Sequence, residues 1–150
     1  MHDPRLPDSK RGTLDDSFTL NIDLAATILG AAGLPRSPHM QGRDIADLYL
    51  GPSINSESDS TWRSDFFYEF PLEEFPASTA LITRKWKYMR YPTESYELLF
   101  DLENDPFELN DLSHSEDAQA VLDELRQRHD QLKEEVTTAE GYEVPKCEKK

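Results

Sequence analysis

Residues 65–102 read "DFFYEFPLEEFPASTALITRKWKYMRYPTESYELLFDL", four runs of aromatic and aliphatic residues parted by short polar or Pro-containing connections. Runs of this kind, rich in β-branched and aromatic side chains, are strand signatures. They predict strands over Asp65 to Phe70, Thr79 to Arg84, Lys87 to Tyr91 and Tyr96 to Leu102. Connections this short cannot hold the crossover that parallel strands need, so the sheet is expected to be antiparallel. The Arg-Lys pair between the second and third runs lacks the Asn-Gly or Asp-Gly of a two-residue hairpin, which predicts a bulged or longer turn. In the first run, alternation puts Phe66, Tyr68 and Phe70 on one face and Phe67 and Glu69 on the other.

Downstream, "LFDLENDPFELNDLSHSED" (99–117) holds seven carboxylates and no Lys or Arg. An EF-hand loop starting at Asp101 would have Glu103 and Asp105 at positions 3 and 5. It would also place Pro106 where a Gly makes the sharp turn and Leu112 where a bidentate Glu is needed. The stretch reads instead as a turn around "NDP", pinned to the core by Leu109 and Leu112, with Glu116 and Asp117 in the first turn of a helix, where the dipole favours them. "SHSE" from Ser113 fits a capping box, and Ala118, Val121, Leu122, Leu125, Leu132 and Val136 recur at helical spacing. One long amphipathic helix from about Ser115 to Val136 is expected to lie on the sheet.

Upstream, residues 53–60 ("SINSESDS") form a polar linker, giving an expected division into 1–52, 53–144 and a tail at 145–150. Asn21 is positioned to cap a helix over 21–32 that is apolar on most sides, with Gly33 and Pro35 as its stop. A short helix within Asp44–Leu50, ended by Gly51-Pro52, follows. Residues 1–20, with Pro4, Pro7 and Gly12, read as an extended lead-in.

The 150 residues suffice for one ordinary domain. Sixteen Lys plus Arg against thirty Asp plus Glu give a net charge of −14, a field that repels nucleic acid and anionic membrane surfaces. No run approaches the roughly 18 apolar residues of a membrane span, and no apolar run of signal-peptide length follows Met1, so neither membrane nor nucleic acid is expected as a partner. Cys147 is the sole cysteine, which excludes an internal disulfide and a cysteine metal cluster. His2, His39, His114 and His129 show no metal-ligand spacing; His129, between Leu125 and Leu132, is expected to pack and not to catalyse.

Six segments in order, "LNIDLAATILGAAGLP" (20–35), "MQGRDI" (40–45), "WRSDFFYEF" (62–70), "ALITRKWKYMRY" (80–91), "YELLFDLENDPFELNDL" (96–112) and "LDELRQRHDQL" (122–132), resemble the C-terminal part of the formylglycine-dependent sulfatases of the alkaline-phosphatase-like superfamily. The resemblance implies an α+β fold: a four-stranded antiparallel sheet packed with a long C-terminal helix, preceded by a helix left over from an α/β catalytic domain. It also implies that a complete enzyme uses calcium and a formylglycine made from Cys/Ser-x-Pro-x-Arg. No such pattern occurs here: Glu148, Lys149 and Lys150 follow Cys147, and Ser37 in "PRSPHM" has Pro38 one place too early. No catalytic and no metal-ligating residue is therefore assigned, no cofactor is expected in this chain, and sulfate ester hydrolysis by it alone is not expected.

By the same resemblance, Tyr68, Glu69, Arg84 and Lys85 are candidates for a substrate rim, the last two within the basic hairpin "RKWKYMR" (84–90). The implied partner is a sulfatase catalytic domain, in cis or in trans, and the implied compartment is periplasmic, extracellular or lysosomal. Self-association through the apolar helix 21–32 is a further expectation. The competing reading is a noncatalytic acidic module that binds its partner in trans.

Overall fold

A computed structural model describes residues 3–51, 62–71 and 77–138. The linker expected at 53–60, the "LEEFP" loop after Pro71 and the terminal tail with Cys147 lie outside these residues. The chain divides into two compact units, Met1–Arg63 and Ser64–Lys150.

In the first unit, α1 (Asp23–Ala31) stops in a Schellman arrangement: Leu34 N–H donates to the Leu29 carbonyl at 2.9 Å and Gly33 N–H to that of Gly30 at 3.1 Å. Gly33 holds φ +68°, the left-handed conformation such a stop requires. Asn21 does not cap this helix; Ile22 occupies the cap position in helical conformation with no side-chain bond. The helix leaves several apolar side chains exposed. Asp23, Ala26 and Thr27 are buried, while Ile22, Leu24 and Ile28 face outward.

The reason is a polar clasp. Both Asp23 carboxylate oxygens accept bonds from Arg63, and they also take the Leu20 N–H at 2.7 Å and the Arg43 N–H at 2.8 Å. Thr27 Oγ1 donates to the Asp23 carbonyl and accepts from Ile45 N–H. Burying the charged Asp23 is tolerable because every lone pair has a partner. Gly42 lets the chain pass α1 closely, since a Cβ there would lie 2.0 Å from the Ile22 carbonyl oxygen. The one-turn α2 (Ala46–Tyr49) follows.

The second unit is a meander of β1 (Asp65–Phe70), β2 (Ser78–Thr83), β3 (Trp86–Tyr91) and β4 (Tyr96–Asp101), antiparallel in sequence order. A row in register, Phe67–Leu81–Tyr88–Leu99, crosses all four strands. The helix α3 (Gln119–Thr138) seats Leu122 and Leu125 in one core with Leu81, Tyr88 and Leu99. Burying each such leucine is worth about 1.5–3 kcal/mol.

Three local expectations are corrected here. The capping box does not form, because Ser113 is buried and its hydroxyl donates to Asp111 at 2.8 Å. The chain enters α3 through a 3-10 turn, Glu116–Ala118, without a side-chain cap. Leu112 does pack on the core, but Leu109 is 79% exposed and pins nothing. Between β2 and β3 the turn is closed by a side chain: Thr83 Oγ1 accepts from Trp86 N–H at 2.8 Å and donates to the Trp86 carbonyl at 3.1 Å. That is why Arg84-Lys85 needs no Asn-Gly.

Candidate functional site: the two faces of the sheet

Strand alternation gives the sheet two faces, both with chemistry to account for. On the α3 side a polar seam borders the core. Tyr88 Oη donates to Glu97 at 2.6 Å, and Glu97 also accepts from Arg126 of α3. Arg90 donates to Tyr88 Oη at 3.0 Å and to Asp130 at 2.7 Å. Burial and the bond to Glu97 push the Tyr88 hydroxyl up to about 12, so it stays a donor. The Arg126 guanidinium, helped by Tyr88, holds the Glu97 carboxyl below its usual range against burial. These pairs fix where along the sheet α3 sits.

The opposite face carries Phe66, Tyr68, Phe70, Ala80, Ile82, Met89, Leu98 and Phe100. Their registers are Phe66↔Ile82↔Lys87↔Phe100 and Tyr68↔Ala80↔Met89↔Leu98. Among the described residues of this unit, the only helix is α3 on the other side. The return segment after β4 reaches this face through Glu108, bonded to Lys87 at 2.6 Å. A sheet apolar on both faces is built to be covered on both.

The carboxylates of 101–111 build the connection that leads from β4 toward α3. Asp101 accepts from Glu103 N–H, Asn104 N–H and Asn104 Nδ2, which hold its carboxyl below the usual range. Asp105 accepts from Asn110, and Asp111 accepts from Leu99 and Ser113 N–H, covering the outer edge of β4. Phe107 is 81% exposed at the tip of this connection. Among the described residues no group of three or more His, Cys, Asp or Glu side chains could hold a metal ion.

The four rim candidates do not converge. Tyr68 is half-exposed on the apolar face, while Glu69 lies on the α3 side opposite Thr79. Arg84 and Lys85 occupy the turn at the Asp65 end, about 13 Å along the strand from the Tyr68 register at ~3.3 Å per residue. Nor does "RKWKYMR" form one basic patch. Lys85 pairs with Glu103 at 3.6 Å and covers the Trp86 ring, Lys87 pairs with Glu108, and Arg90 pairs with Asp130. The residues that sequence reasoning missed are Ile82, Met89 and Leu98 on the face away from α3 and the Arg90–Asp130 and Arg126–Glu97 pairs. Strand alternation could have found the first three; the pairs join residues distant in the chain.

Residues 4–135 match the family of N-sulphoglucosamine sulphohydrolase C-terminal domains. An arylsulfatase of Clostridium perfringens is 30% identical over 143 residues, which are 95% of this chain and 28% of that protein. Among solved structures, a phosphonate monoester hydrolase from Silicibacter pomeroyi superposes with TM-score 0.69 at 21% identity, over 86% of this chain and 27% of that one. A protein solved with its substrate D-glucosamine-2-N,6-O-disulfate gives 0.64 at 18%, over 81% and 25%. The chain thus spans about a quarter of the length of these relatives.

Proposed function

The chain belongs to the family of N-sulphoglucosamine sulphohydrolase C-terminal domains, and on that premise we propose that it buttresses the catalytic portion of a sulfuric ester hydrolase without breaking the ester itself. The observation that carries this reading is the second apolar face of the sheet, with Phe66, Ile82, Met89 and Leu98 on the side away from α3. Such a face takes an apolar partner.

The five carboxylates of 101–111 are engaged within their own loop and with Lys85 and Lys87. That favours the scaffold over an acidic module acting in trans. The catalytic portion would bring the calcium and formylglycine that complete enzymes of the resemblance use. Tyr68 or Glu69, on opposite faces at one end, or Arg84 and Lys85 at the other, would border its cleft.

The test compares Ile82→Asp and Leu98→Asp in this chain and in a version extended upstream to include a formylglycine motif. The scaffold reading expects a larger fall in Tm, and a loss of aryl sulfatase activity, in the extended protein. Equal effects in both, with activity kept, would refute it.

A further inference from the structure

His129 of α3 is fully buried, the one titratable imidazole at the helix–sheet contact among the described residues. Its Nε2 lies 2.9 Å from Thr79 Oγ1 of β2 and its Nδ1 3.2 Å from Asp130 Oδ1. Phe67 of β1 tilts against the ring at 5.2 Å, and Tyr88 of β3 meets it edge-on at 5.4 Å. Three strands therefore close on one side chain.

The charges around it are unbalanced. On α3, Asp130 is half solvent-exposed and already serves as counter-ion to Arg90 of β3, and Lys133 lies one turn further on. Glu69 of β1, opposite Thr79 in register, is exposed and therefore screened. β2 contributes the uncharged Thr79, and Glu97 of β4 is one hydrogen bond away, through Tyr88. A proton on the imidazole would place two cations, His129 and Arg90, on a single shared carboxylate.

We propose that His129 is an acid-release latch for α3: neutral, it holds the helix on β1, β2 and β3, and protonated, it loosens that contact. Burial, joined by Arg90 and Lys133, pulls its pKa below the ordinary 6.5. An unfolded or undocked chain then binds the proton more readily than the docked one. Stability is complete above the unfolded value and falls as pH drops from about 6.5 through the lowered folded value. Asp130 and Glu97 are held below the ordinary carboxylate range and titrate in a lower window.

The experiment is a ring-proton NMR titration of the histidines in the full chain, with thermal unfolding of the chain and of His129→Gln at about pH 7.5 and about pH 5.5, either side of the ordinary imidazole value. The latch predicts a His129 midpoint below 6.5 and a Tm loss between the two pH values several degrees greater in the unmodified chain than in the variant. A midpoint at or above that value, or equal Tm losses, would overturn it. Should His129→Gln fail to fold, the ring titration of the unmodified chain decides alone.

Discussion

At the scale of single residues, Asp23 and Thr83 show how one side chain can replace a sequence rule. Asp23 is fully buried and gathers Leu20, Arg43 and Arg63 onto one carboxylate. Asp23→Ala should cost about 3–5 kcal/mol, because it leaves the Arg63 guanidinium buried without its anion; faster amide exchange in α1 is the readout. Burial raises the Asp23 pKa and the bonds from Arg63 and Arg43 lower it, with the net shift downward. The stabilisation is thus present above the unfolded value of 3.8 and lost as pH falls through the lowered folded one. Asp23→Asn should flatten that acid dependence. Thr83→Val should cost about 1 kcal/mol through the open turn, seen as a lower urea midpoint. Neither role was legible in the sequence, since Asp23 is separated from Arg63 by forty positions and a lone Thr before Arg-Lys carries no turn signal.

At the scale of elements, legibility followed period. The four strands and α3 were readable because their apolar residues keep a strict spacing, and strand limits in the structure fall within a residue or so of those expected. Helix starts were not. Ser113 preferred Asp111 to the α3 backbone, and Ile22 stands at the head of α1 with no side-chain bond, so composition alone misassigned both. α1 exposes Ile22, Leu24 and Ile28 because the unit is organised around the buried Asp23 and Thr27. Leu122→Ala in α3 should cost about 2–5 kcal/mol by chemical denaturation, the range for a fully buried leucine. Gly42→Ala should destabilise the first unit, because its new methyl would meet the Ile22 carbonyl at 2.0 Å; a change in Tm near zero would contradict that close approach.

At the scale of the whole molecule, the chain is a C-terminal sulfatase-family domain that spans about a quarter of its relatives. The resemblance was legible because six short segments keep their order. The candidate rim was less so: the topology parts Tyr68 and Glu69 from Arg84 and Lys85, and pairing with Glu103, Glu108 and Asp130 disperses the basic hairpin. Further burial of the half-buried Ile82, Met89 and Leu98 on the face away from α3 should raise stability, since their remaining apolar surface would leave water together. The most direct measurement is hydrolysis of a generic aryl sulfate with calcium present, by the purified chain and by a version extended upstream through a formylglycine motif. The account predicts turnover by the extended protein and none by the chain; sustained turnover by the chain itself would contradict it.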